Sequence, residues 1–281
     1  MSIFYKHILR SAFILALTWF PIMGSATGLN VFACHDEWAV LAKSLGGKTI
    51  STYVPQTQSS TSRKLKISSA LPTILESSDV VICSSEFKWL SEAIKKSGND
   101  AIASGAPGLV LVDKLVKLDP IKDGHSDHVH FNRYVHSDPN RLRAIAGQVA
   151  ARFAKIDPSS SDAYRKSAKK FIQELGEIIA INAEKASALK GRTVVSDLYS
   201  YYLMKSLGLK VITSVELAED SAASMVVRTP LGDSKQFEAF AVERDIPLVT
   251  IPFGPVLDGS DSPETFFDYF EQALARVLER F

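Results

Sequence analysis

The residues best suited to chemistry are histidines, and they are unevenly placed. Four of the six, His125, His128, His130 and His136, fall within one twelve-residue stretch. Neutral imidazole suits zinc, copper, nickel or iron, and the His128-Val-His130 spacing lets two rings converge on one ion. Asp123, Asp127 and Asp138 bring carboxylate oxygens to the same stretch. The competing reading is a solvated loop whose histidines hold nothing. A second group, His35-Asp36-Glu37, follows a strand-like run and opens a helix-like one. Carboxylates are favoured at a helix N-terminus whether or not they meet a ligand, so His35 and Glu37 are candidates for lining a cleft and no more. No Gly-x-Ser-x-Gly elbow, His-Glu-x-x-His, P-loop or Gly-x-Gly-x-x-Gly is present. With no base–nucleophile pair to nominate, the chain reads as a binder and not an enzyme.

The elements that must position these residues alternate in type. Apolar runs over 29–33, 49–54, 80–83 and 108–112 read as strands, with helical spacing over 37–45, 69–76 and 87–96 between them. Continuous apolar strands alternating with helices predict a parallel sheet covered on both faces. In the middle, Asp138-Pro139 and Asp157-Pro158 each set an N-cap candidate before a proline suited to a first helical turn. They predict a helix over 140–154 and a longer one over 160–189. Tyr164, Ala168, Phe171, Leu175 and Ile178 mark a single buried stripe along the second. Thirty helical residues span roughly 45 Å, more than one small lobe needs, which suits a strut between two. Alternation then resumes, with strands over 193–196, 211–215, 224–228 and 248–251 and helices over 201–206, 235–244 and 266–278. The fold class is therefore α/β, two lobes each with a mainly parallel sheet flanked by helices, joined by one long helix. In such sheets ligands meet loops beyond the carboxyl ends of the strands, which places His35, Glu37, Arg63, the 128–136 segment, Asp197 and the turn after Ile251 toward a cleft.

The first residues read as an export address. Lys6 and Arg10 precede the apolar run of 11–20, and Gly24, Ser25 and Ala26 offer a cleavage site. The uncharged stretch of 11–27 contains Pro21 and is shorter than the about 20 apolar residues that span a bilayer. The division expected is a signal peptide over 1–26, an N-terminal lobe over 27–158, a connecting helix over 159–190 and a C-terminal lobe over 191–281. Cleavage removes two positive charges and takes the formal net charge from +1 to −1. A near-neutral chain with both signs scattered along it argues against a nucleic-acid partner. Cys34 and Cys83, the two cysteines, end strand-like runs; export permits a disulfide if those strands are neighbours, and burial as free thiols is the alternative.

Several stretches together resemble the periplasmic metal-binding proteins of zinc and manganese ABC importers, in the zinc-type branch. Val31-Phe-Ala-Cys-His-Asp-Glu-Trp-Ala-Val-Leu-Ala42 with Gly46-Gly47 is similar to that branch's opening strand and helix. Asp79-Val-Val-Ile-Cys83 with Phe87-Lys-Trp-Leu90, Gly105-Ala-Pro-Gly108, and the stretch from Asn132 to Pro139 continue the match in order. So do Leu189-Lys-Gly-Arg-Thr-Val-Val195, Tyr202-Leu203 with Leu207-Gly-Leu209, and Ile251-Pro252 with Phe267-Asp-Tyr-Phe270. The resemblance implies a solute-binding protein that captures a metal ion in the inter-lobe cleft and docks on a membrane permease, with little hinge motion. It implies no catalytic cofactor, only zinc or another divalent transition metal as cargo, and a monomer in the periplasm.

The family's ligand histidines are replaced. The first falls at Arg63, the second at Tyr134 and the third at Asp197; the fourth ligand falls near Ile251. A guanidinium has no lone pair to donate and sets a fixed positive charge where a cation should sit. Three readings stay open: the site has moved to His128, His130 and His136 with Asp197; the cargo is a metal chelate or an anion; or the chain is an envelope accessory protein that keeps the fold without binding metal.

Overall fold

The computed structural model describes residues 28–55, 70–121, 130–232, 234–257 and 263–281. Strand β1 (Leu29–Ala33) leads into helix α1 (Asp36–Gly46), followed by β2 (Ile50–Tyr53), α2 (Leu71–Glu76), β3 (Val80–Cys83), α3 (Lys88–Ser97) and β4 (Leu109–Leu111). These four strands form one parallel sheet in the order β2-β1-β3-β4. A short antiparallel pair, β5 (Pro120–Ile121) and β6 (His130–Phe131), follows; strand propensity over two residues is too weak to announce it in sequence. Next come α4 (Pro139–Ile156) and the long α5 (Ser161–Lys185). The chain then repeats its first architecture with β7 (Thr193–Ser196), α6 (Tyr201–Ser206), β8 (Lys210–Ile212), β9 (Ala223–Arg228), α7 (Ser234–Glu243), β10 (Leu248–Thr250) and α8 (Phe266–Leu278). The second sheet is also parallel, in the order β10-β9-β7-β8. Each sheet thus runs second, first, third, fourth strand of its own half, and the chain direction reverses beside β1 and beside β7. Crevices form at such switch points.

Asp138 caps α4 as its sequence context predicts, accepting from the backbone N–H of Asn140 at 2.8 Å and Arg141 at 3.1 Å, with Pro139 in the first turn. Asp157 does something different. It opens a single 3₁₀ turn (Pro158–Ser160) and binds the Tyr164 hydroxyl at 2.8 Å, and α5 begins only at Ser161 without a side-chain cap. At its other end α5 stops at Lys185, short of the predicted boundary, and a 3₁₀ turn (Ser187–Leu189) completes the span.

Alternation along the strands sorts their side chains into three cores. Phe32, Val81 and Cys83 face α2 and α3 on the outer side of the first sheet. Val195 and Val226 face Phe237 and Phe240 of α7 on the outer side of the second. The inner faces share one core, in which Val31, Ile82, Val194 and Val227 all take part. Through this core runs the α5 stripe: Tyr164, Ala168, Phe171 and Leu175 are buried, Ile178 half so, and the helix packs on α4, α1 and α8. The long helix is therefore embedded on one face against elements of both halves.

Cys34 and Cys83 lie at matching points of β1 and β3 and are joined by a disulfide, with 5.0 Å between Cα atoms. The bridge closes a loop with a sequence separation of 49, a length for which chain-entropy arguments give about 4 kcal/mol. Reduction is expected to lower the unfolding free energy by about 2–4 kcal/mol, read as a shift of the urea midpoint with and without reductant; an unmoved midpoint would contradict this role.

Candidate functional site

The end of β1 delivers His35 to the N-terminus of α1, and the first turn of α1 turns Glu37 inward, where it is only 4% exposed. Its neighbours are imidazoles. His35 Nδ1 lies 3.4 Å from Glu37 Oε1, and His136 Nδ1 lies 3.9 Å from the same oxygen. His136 comes from the 3₁₀ turn (Val135–Ser137) that precedes α4 and is buried, its Nε2 2.9 Å from the Phe253 carbonyl oxygen beyond β10. A carbonyl only accepts, so Nε2 carries the hydrogen and the Nδ1 lone pair faces Glu37. Gly254 packs over the pair: a Cβ there would stand at ordinary contact distance, 3.5 Å from His136 and 3.6 Å from Glu37.

Burial and charge set the protonation of the three. Burial works against the His35 imidazolium, but the facing Glu37 carboxylate outweighs it and raises the pKa above 6.5. Burial would push the Glu37 carboxyl up; His35, and His136 beyond it, hold it below its ordinary value. For His136 burial prevails over Glu37 and the Phe253 carbonyl, and its pKa falls. The shifts favour charge on His35 beside Glu37 and disfavour it on His136. Beside His136, Tyr134, Tyr199 and Phe253 cluster by tilted and edge-on contacts, with ring centroids 4.3 Å apart for the tyrosine pair and 5.4 Å for Tyr199 and Phe253. Phe253 also lies 4.7 Å from the His136 ring, and Trp38 meets that ring edge-on. The Tyr269 hydroxyl on α8 is buried with no hydrogen-bond partner among the described residues, and burial and the charges of Asp197 and Glu37 keep it protonated.

The other sequence candidates are placed differently. Asp197, at the end of β7, is saturated. Its Oδ1 accepts from the Ser200 N–H at 2.8 Å and hydroxyl at 2.6 Å, and its Oδ2 from the Thr229 N–H at 2.6 Å and hydroxyl at 2.8 Å. A Cβ on Gly232 would stand 2.5 Å from Oδ2. Four donors fill the lone-pair directions of this carboxylate and tie the end of β7 to Ser200 and Thr229. His130 sits on β6 and is exposed, whereas His136 is buried. Among the described residues no three histidine, cysteine, aspartate or glutamate side chains are arranged to hold a metal ion. His35, Glu37 and His136 touch, but His35 Nδ1 is spent on Glu37 and His136 Nε2 on Phe253. His125, His128 and Arg63 lie outside the described residues. Tyr134, at the second replaced histidine, faces Tyr199 and Phe253 and joins the aromatic stack. The aromatic partners Tyr199 and Phe253 and the orphan Tyr269 had no signal in spacing, because contacts between halves leave no period in a sequence.

Arg133 is also engaged. Its guanidinium meets Asp113 Oδ2 and the Ser85 hydroxyl, 2.7 Å away, while Ser85 donates its own N–H to Asp113 at 2.7 Å. Asn132 crosses between halves, donating to the Leu198 carbonyl at 2.8 Å. Tyr202 of α6 donates to the Asn132 carbonyl and accepts from the Asp119 N–H, both at 2.9 Å, and its ring lies under the Arg141 guanidinium at 4.1 Å. Arg141 and Lys205 both pair with Asp119. The Asn132–Pro139 stretch and the Tyr202-Leu203 pair, which carry much of the resemblance, thus clamp one half to the other.

The zinc-uptake complex component A periplasmic family (ZnuA) matches residues 31–252. The chain belongs to this family. Solved structures agree with it in fold. A laminin-binding adhesin of Streptococcus agalactiae superposes with a TM-score of 0.72 at 16% identity, covering 90% of this chain and 99% of that one. A manganese-bound periplasmic metal-binding protein of Candidatus Liberibacter asiaticus gives 0.73 at 11%, covering 90% and 100%. A ZnuA crystal structure gives 0.70 at 12%, covering 90% and 99%. A sequence search of curated proteins finds no match. At these identities the structures speak for the two-sheet fold alone.

Two outcomes test the site. In metal-free protein stability should peak near pH 6.5. His136, with a lowered folded pKa, contributes fully above 6.5 and loses that contribution as pH falls beneath it; His35, with a raised one, contributes fully below 6.5 and loses it as pH rises through its folded value. The Glu37 contribution disappears only below 4.5. Urea midpoints from about pH 5 to 8 should show the acid limb flattened in His136→Asn and the alkaline limb in His35→Asn; a flat wild-type profile would refute the assignment. Separately, Asp197→Ala strands buried N–H groups of Ser200 and Thr229 and is expected to cost about 2–5 kcal/mol of stability. A cost near zero by chemical denaturation would show that the carboxylate does not fasten β7 to β9.

Proposed function

We propose that this chain is the exported solute-binding component of a zinc-type metal import system, handing its cargo to an ABC permease in the membrane. The family match over residues 31–252 carries the reading, and the paired parallel sheets with their facing strand ends support it. The lobes are assigned to 27–158 and 191–281, with 159–190 between them, and residues 1–26 to a cleaved signal peptide. No helix of the described residues is long and apolar enough to cross a membrane. The protein acts as a monomer, without catalysis and without a nucleic-acid partner.

The cargo is a metal that arrives with ligands of its own. His136 Nδ1 and Glu37 Oε1 face each other 3.9 Å apart, two donors where the replaced set had more. Imidazole and carboxylate suit a borderline divalent ion, but two protein donors leave most of its coordination sphere to a carried chelator. The Tyr269 hydroxyl, lacking a partner, can donate to that chelator, and the tyrosines and Phe253 offer flat faces for its body. Entry requires the aromatic stack to part.

Equilibrium dialysis with metal analysis tests this, offering zinc, manganese, iron and copper first as free ions and then as citrate complexes. The expected result is about one metal per chain at sub-micromolar affinity from a complex, lost in Glu37→Gln and His136→Ala and retained in Asp197→Asn. No binding tighter than about micromolar in either form would sink the metal role and leave the envelope accessory reading.

A further inference from the structure

A second opening lies away from the crevice, between α4 and α5. It has a volume of about 760 Å³, within the range of roughly 300–1,000 Å³ common for small-molecule sites. Its floor is made by Gly147, Ala150 and Ala154 of α4 with Ala168 and Ile172 of α5. A Cβ on Gly147 would lie 3.7 Å from Ile172, and one on Gly176 would lie 3.6 Å from the Arg143 guanidinium. The two helices therefore run antiparallel, which brings Lys155, near the end of α4, opposite Arg165, near the start of α5.

The rim carries charge of one sign. Arg143, Lys155, Arg165 and Lys169 line the opening together with Gln173, and no acidic residue does. None of these four cations has an ion-pair partner among the described residues, although carboxylates nearby on α5 do pair, Glu174 with Lys170. The Arg143 Nε is buried without a hydrogen-bond partner. A fold that needed only to close two helices together would not be expected to leave a gap of this size with four cations, unpaired among the described residues, around an apolar floor.

We propose that this groove binds a single-chain amphipathic anion, a long-chain carboxylate, with its alkyl chain on the small-residue floor and its head among Lys155, Arg165 and Lys169. From Arg143 to Lys155 the helix rises about 18 Å, enough for an extended chain of roughly a dozen carbons. Charge complementarity selects the head group and the floor selects the tail. The metal cargo of the crevice plays no part, so the two readings stand or fall separately.

Calorimetry on the purified protein, with dodecanoate kept below its micelle concentration, is the test. One dodecanoate per chain is expected, with dodecyltrimethylammonium, of the same length and opposite charge, at least about tenfold weaker. Gly147→Leu fills the floor and should weaken dodecanoate at least about tenfold while leaving the thermal midpoint unchanged or higher, since leucine is the better helix former. Lys155→Glu with Arg165→Glu should weaken it similarly. The proposal is overturned if dodecanoate does not bind, if both surfactants bind alike, or if Gly147→Leu binds as the parent does. Binding of an acidic helical peptide with none of dodecanoate would equally overturn it, and would assign the groove to a protein partner.

Discussion

Two parallel strands whose connections leave in opposite directions open a gap at their carboxyl ends, and what fills that gap decides whether it can bind anything. This chain has two such gaps, beside β1 and beside β7, and it closes both. In the first sheet the position after Ala33 is joined to the end of β3 by the Cys34–Cys83 disulfide. In the second the position after Ser196 is Asp197, whose carboxylate reaches Thr229 past the end of β9 and the cap of α6 at once. One stitch is covalent and the other is a buried anion held by four donors. Each fixes two strand ends that a ligand would otherwise hold apart, so the remaining polar surface is displaced sideways, to the His35–Glu37–His136 contact between the halves.

That contact depends on the halves staying together. The inner faces of both sheets empty into one core along α5, so separating them would expose apolar surface at about 25 cal/mol per Å². The clamp of Asp119, Asn132 and Arg141 on Tyr202 and Lys205 adds directional bonds to that non-directional adhesion. A rigid pair of lobes with a small polar contact between them favours movement of side chains over movement of lobes. At this junction Tyr134, Tyr199 and Phe253 meet one another through tilted and edge-on ring contacts.

The fold was legible in the sequence because its signals are local. β1, β3, β7, α6 and α8 follow their apolar runs to the residue, and Asp138-Pro139 starts α4 through a cap that acts within three residues. The stripe on α5 was legible for the same reason. Asp157 misled because an aspartate before proline can cap a 3₁₀ turn as well as an α-helix, and the hydroxyls of Ser159 and Tyr164 decided the matter. The site was legible only in part. His35, Glu37 and His136 were each candidates, but 99 residues separate Glu37 from its second imidazole, and Phe253 is 117 from His136. Such meetings are set by how two sheets pack, which no spacing encodes. The four donors around Asp197 were not legible either: Thr229 lies 32 residues away, and a carboxylate at a strand end does not announce its partners.

Tyr134 and Asp197, the described positions at which the resemblance would set ligand histidines, are both engaged within the protein. Asp197 offsets only part of the cost of its burial by accepting from Ser200 and Thr229, so its pKa stays raised while the bonds secure the sheet. Tyr134 keeps the volume of a ring but gives it to Tyr199 and Phe253, exchanging a lone pair for stacking worth on the order of 1 kcal/mol per contact. His136 turns its Nδ1 toward Glu37, and its burial lowers its pKa. Glu37 Oε1 is shared with His35 on its other side, so the carboxylate stands between two imidazoles whose pKa values are pushed apart, His35 up by the facing carboxylate and His136 down by burial.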